Sequence, residues 1–126
     1  MEQSKRFLHC KICGNLVGQL HNSGAEIYCC NQPMEVLEAN KGGDLKKHQI
    51  NCEVQKDQVK VTIASGEHPM TNEHHIAWMY LETDQGGQRK NLAAADTPSA
   101  CFAIGTEKPL AVYAYCNQHG LWCSEV

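Results

Sequence analysis

From residue 50 onward the hydrophobic positions fall in short runs broken by polar residues. In "QVKVTIA" strict alternation puts Val59, Val61 and Ile63 on one face, the period of a half-buried strand. "QINCEV" precedes it, and "CFAIG", "LAVYAYC" and "LWCSEV" follow. "HIAWMYLE" is apolar on both faces, which predicts a central strand. Between the runs stand turn signals: "KDQ", "DQGGQ", "DTPS" and "GTEKP". None of these segments carries an i, i+3, i+4, i+7 apolar stripe. The pattern predicts a mainly β chain whose larger part is an antiparallel β-sandwich of six or seven short strands.

The first part of the chain reads differently. "EANKGGDLKK", residues 38–47, is polar with a Gly-Gly pair and reads as a linker. The expected division is a small unit over 1–37, a linker and loop over 38–47, and the sandwich over 48–126. With 126 residues the chain is long enough for one such domain and one small stapled module. A net charge of −3 with no basic stripe argues against bulk nucleic-acid binding. "MEQSKRFLHC" lacks the apolar centre of a signal peptide, and no run approaches the roughly 20 apolar residues of a membrane span. The expectation is a cytoplasmic protein with no membrane partner.

Eight cysteines and seven histidines change the picture. In a reducing compartment such thiols are metal ligands or buried side chains rather than disulfides. "HCKICGNL" supplies Cys10 and Cys13, with Gly14 freeing the backbone behind them, and "EIYCCNQ" supplies Cys29 and Cys30. Four thiolates suit iron or zinc, and spacing does not choose between them. Adjacent strand residues point to opposite faces, so Cys29 and Cys30 can share one ion only if the backbone bends there. A bridge between them is the weaker alternative, because it would be strained.

The histidines lie at run ends. His68 and His74 would stand about 20 Å apart in one extended strand, so "PMTNE" between them must fold back for a shared ion. Cys116 and His119 need a turn through Asn117–Gln118, with Gly120 beyond. A lone histidine is usually a satisfied surface or core residue; His9 and His21 read that way. Only convergence makes a site, and His68, His74 and the Cys116/His119 pair sit beside turns, where sandwich loops gather. Cys52 and Cys101 lie within strand-like runs and are expected to be buried.

Five motifs in order carry a specific resemblance: C-x-x-C, adjacent C-C, a "KH" after the linker, "HPM…H…W" and a closing "YCN-x-HG-x-W". Together they resemble desulfoferrodoxin, the two-iron superoxide reductase family, over nearly the whole chain. The resemblance implies a desulforedoxin-like, rubredoxin-like unit holding iron by Cys10, Cys13, Cys29 and Cys30, where zinc can substitute. It also implies an immunoglobulin-like sandwich holding a second, ferrous iron by His48, His68, His74 and His119, with Cys116 axial. The position of His75 is often aromatic in the family, so His75 stays outside this set. The implied activity is one-electron reduction of superoxide to hydrogen peroxide, with Lys47 and Cys116 catalytic. Re-reduction by a rubredoxin-like donor and a homodimeric state are further implications. The family commonly has glutamate where this chain has Lys46. The competing reading is a non-catalytic metal-binding or electron-transfer module with a structural four-cysteine site.

Overall fold

The computed structural model describes residues 7–40, 48–64 and 68–126. Lys46 and Lys47 lie outside these described residues. The chain separates into two compact units, Met1–Ala39 and Asn40–Val126.

In the first unit β1 (Phe7–His9), β2 (Leu16–Gly18) and β5 (Glu35–Val36) form an antiparallel sheet in the order β2-β1-β5. β3 (Tyr28–Cys29) and β4 (Gln32–Pro33) make a minimal hairpin. Of its described hydrophobic side chains only Phe7, Leu8 and Cys10 are buried. Such a core is too small to offset the entropy of ordering the chain, so this unit needs a staple.

Among its described residues the second unit is an antiparallel sandwich of seven strands. Its three-stranded sheet, β10-β7-β6, uses β6 (Ile50–Gln55), β7 (Gln58–Ile63) and β10 (Ser99–Ala103). Its four-stranded sheet, β12-β11-β8-β9, uses β8 (Ile76–Thr83), β9 (Gly86–Asn91), β11 (Pro109–Cys116) and β12 (Gly120–Glu125). Val59, Val61 and Ile63 are fully buried, as their alternation predicts. They share a core with Phe102 of β10, Met79 and Leu81 of β8, and Val112 and Ala114 of β11. "HIAWMYLE" becomes β8, paired on both sides by β11 and β9.

Two expectations need correcting. β9 covers "GGQRKN", which reads as turn because an edge strand that buries almost nothing carries no apolar alternation. Cys101 is exposed, and Cys52 only half-buried. The fully buried Phe102 takes the inward face of β10, so its neighbour Cys101 must point out, where its thiol donates to Gln58 Oε1 at 2.8 Å.

Candidate metal centres

The first group forms where two turns meet. Cys10 to Gly14 make a knuckle: the Gly14 N–H donates to the Cys10 carbonyl at 2.9 Å, and Gly14 takes φ +83°. On the hairpin, Cys29 pairs with Gln32, so Cys30 and Asn31 are the two loop residues, at φ 54° and 62°. Positive φ at both positions is the signature of the turn type that matches strand twist in two-residue hairpins. This is the bend that adjacent cysteines require, since Cys30 leaves the strand alternation in a left-handed conformation. All four sulfurs lie within 4.8 Å of one another, with Cys13 to Cys29 at 3.5 Å and Cys29 to Cys30 at 4.0 Å. Backbone N–H groups of Cys13 and Ile12 pull the Cys10 thiol down to about 6, which favours its thiolate at neutral pH. Side-chain hydrogen bonding with Cys13 and Cys10 pushes Cys30 up to about 12 and raises Cys29 as well. A cation among the sulfurs would cancel that mutual penalty. The set fits a soft tetrahedral ion, iron or zinc.

The second group sits at one end of the sandwich. Four imidazoles form a closed ring with near-equal edges between centroids: His48–His68 4.8 Å, and His68–His74, His74–His119 and His119–His48 each 4.9 Å. Neighbouring rings are steeply tilted, by 60° to 81°. Ligand atoms of His48, His68, His74 and Cys116 all lie within 4.8 Å of one another. His119 brings Nδ1 to 3.8 Å from Cys116 Sγ and 3.2 Å from His48 Nε2. It follows Cys116 by three residues, and its near nitrogen is the one turned inward.

Local structure explains each placement. Cys116 ends β11 and Gly120, at φ +83°, opens β12, leaving a three-residue turn that carries His119. Such a loop wants glycine in the left-handed region at its end. On β8 the register slips: Tyr115 pairs with Trp78 but Cys116 with Ile76, so Ala77 is an extra residue. A bulge reverses the alternation beyond it. Ile76 therefore faces the core together with Cys116, and His75, which pairs with Asn117, turns away. The bulge thus selects between two adjacent histidines. His74 joins the ring, while His75 Nδ1 lies 2.9 Å from the Thr71 carbonyl.

His68 is buried, and its Nδ1–H donates to the Pro69 carbonyl at 2.7 Å. That fixes the tautomer and leaves Nε2 buried with no hydrogen-bond partner. Burial, reinforced by the other three histidines, lowers its pKa to about 4, so the ring stays neutral with a lone pair to give. His48 is held by the indole of Trp122, stacked 2° from parallel at 4.3 Å. An orphaned buried nitrogen on His68, four converging imidazoles and a buried thiol fit a borderline ion such as ferrous iron. Cys116, His48 and His68 are buried and His119 is exposed, so the ring has a solvent side.

His9 and His21 belong to neither group. The sequence assigns Asn117 only to the turn before His119, and assigns no role to Trp122 or the Pro69 carbonyl. Their signals were present, since Asn117 and Trp122 are fixed letters of "YCN-x-HG-x-W" and Pro69 of "HPM".

A four-thiol group and a mixed imidazole–thiolate group on separate units define a protein with two metal centres. The chain belongs to the desulfoferrodoxin family, matching the family over residues 41–125 and its N-terminal domain over residues 3–37. It is 39% identical to the desulfoferrodoxin of Syntrophotalea carbinolica, across 99% of each chain. It is 39% identical to the superoxide reductase of Pyrococcus horikoshii, covering 71% of this chain and 95% of that one. The crystal structure of the superoxide reductase from Treponema pallidum aligns with a TM-score of 0.77 at 32% identity, covering 94% of this chain and 95% of that chain.

Proposed function

We propose that the chain is a superoxide reductase, with Cys10, Cys13, Cys29 and Cys30 holding one iron and His48, His68, His74, His119 and Cys116 holding the other. The observation that carries this reading is the closed ring of four imidazoles beside one buried thiol. Ferrous iron held by His48, His68, His74, His119 and Cys116 would supply the one electron that, with two protons, converts superoxide to hydrogen peroxide. The chain's residues set the conditions. Imidazole ligands, carrying no charge of their own when bound, would leave such a centre cationic toward an anionic substrate. Cys116 would add one soft, electron-rich sulfur donor to that ion. Burial of Cys116 and His68 keeps water from the inner side, so substrate must arrive from the side of exposed His119.

Lys47 precedes His48 directly in the sequence, and the family resemblance supports a catalytic role for it. An ammonium there would attract superoxide and orient a proton-donating water. A rubredoxin-like donor and a homodimer complete the reading. Exposed apolar side chains of the first unit support both, Ile12 between the knuckle cysteines at 59% and Tyr28 at 63% among them. A mass of one chain by light scattering would exclude the dimer, and failure of reduced rubredoxin to re-reduce the protein would exclude that donor class. Thiolate ligation in both centres supports a reducing compartment such as the cytoplasm; secretion of the active protein would contradict it.

Cys116→Ser tests the assignment. It keeps the size and removes the soft donor. The expected result is loss of the thiolate-to-iron charge-transfer band and of nearly all superoxide reduction, with the absorption band of the four-cysteine centre intact. An active variant with an unchanged band would remove Cys116 from the ligand set.

A further inference from the structure

The residue after Cys116 grips both neighbours of His74. Asn117 Oδ1 accepts the His75 N–H at 2.8 Å, and Asn117 Nδ2 donates to the Glu73 carbonyl at 3.1 Å. Its own N–H donates to the His75 carbonyl at 3.1 Å, extending the β8–β11 ladder one residue past Cys116. Gln118 Nε2 donates to the same Glu73 carbonyl. From inside its own loop, His74 is tied again: its N–H donates to Thr71 Oγ1 at 3.1 Å, and its carbonyl accepts from the Thr71 N–H at 2.8 Å. The peptide groups on both sides of His74 are therefore fixed, one set through Thr71 and the other through the turn that carries Cys116 and His119.

We infer that Asn117 is a positioning residue whose side-chain amide couples the loop of His74 to the turn of Cys116 and His119, so that the thiolate and two of the four imidazoles move as one body. This rests on the assignment of four histidines and Cys116 to one iron above. Only a primary amide of this length offers one acceptor and one donor to the two targets. Aspartate would turn an acceptor toward the Glu73 carbonyl, and leucine would satisfy neither group. The clasp lies at the exposed rim, where hydrogen bonds add little to overall stability. Its value is in ligand geometry. Partners beyond the ligands themselves typically change metal affinity roughly 10- to 100-fold.

The test uses the full chain loaded with iron in both centres. Asn117 has no positive φ, so Asn117→Leu is compatible with the backbone. The expected result is a shifted and broadened thiolate-to-iron band and iron loss to a chelator at least tenfold faster from this centre, with the four-cysteine band unmoved. Gln118→Leu removes one donor to the Glu73 carbonyl and leaves the Asn117 amide in place, so a smaller change of the same sign is expected. A wild-type protein with no thiolate-to-iron band would overturn the ligand assignment itself. A wild-type band that Asn117→Leu leaves unchanged in energy, width and iron-release rate would overturn the clasp alone. A Gln118→Leu effect equal to or larger than that of Asn117→Leu would also overturn it.

Discussion

The two units bring ligands together by opposite means. In the first, a knuckle and a two-residue hairpin turn gather four thiols, yet few hydrophobic side chains are buried around them. There the metal is part of the fold. In the second, a sandwich with fully buried Val59, Val61, Ile63, Phe102, Met79, Leu81 and Val112 stands ready, and the ligands are hung on its strand ends. There the metal is a guest in a frame that exists without it. A frame of that kind can hold a ligand set open on one side, as an active site needs, whereas a staple works best when closed.

The largest expected effect follows from that contrast. Cys13→Ser should abolish the four-cysteine band and unfold the first unit, because metal binding there is worth on the order of 10 kcal/mol of folding free energy. The thiolate–imidazole band of the sandwich should persist. Loss of both bands together, followed by absorption and hydrogen exchange, would show that the units are not independent in this sense. Next in size is Phe102→Ala. Removing a fully buried aromatic ring should destabilise the sandwich by about 3–5 kcal/mol, read from chemical denaturation, and leave the four-cysteine band untouched. A loss below about 1 kcal/mol would contradict the core described here. The smallest effect is kinetic. Lys47→Ala should lower the second-order rate with superoxide and flatten its salt dependence, because screening acts over about 10 Å at 0.1 M salt. An unchanged rate would reduce Lys47 to a surface charge, and Lys46→Ala combined with it is the stricter form.

Sequence patterning reached the sandwich because burial leaves a mark of period two: Val59, Val61 and Ile63 alternate with polar residues, and β8 is apolar on both faces. It did not reach β9, whose residues pair through backbone groups at a sheet edge and bury almost no side chain. Adjacent Cys29 and Cys30 announced that the backbone must bend, and the left-handed pair Cys30–Asn31 is that bend. The bulge at Ala77 leaves no such mark. A single extra residue alters alternation without altering composition, so the turn beside His74 points to it, but the exclusion of His75 is legible only through family resemblance. The inward turn of His119 Nδ1 likewise depends on a three-residue turn whose geometry no spacing rule specifies. Strand membership alone does not bury Cys101, because its parity to the inward Phe102 turns it to solvent.

A superoxide reductase centre built from four histidines and Cys116 must reduce superoxide without dismutating it. Pulses of superoxide mixed with pre-reduced, iron-loaded protein, with peroxide and dioxygen both quantified, test this most directly. One hydrogen peroxide should form and one electron equivalent be consumed per superoxide removed, with no dioxygen released from superoxide. Dioxygen produced in step with half the superoxide lost, or superoxide unaffected by fully loaded protein, would contradict it.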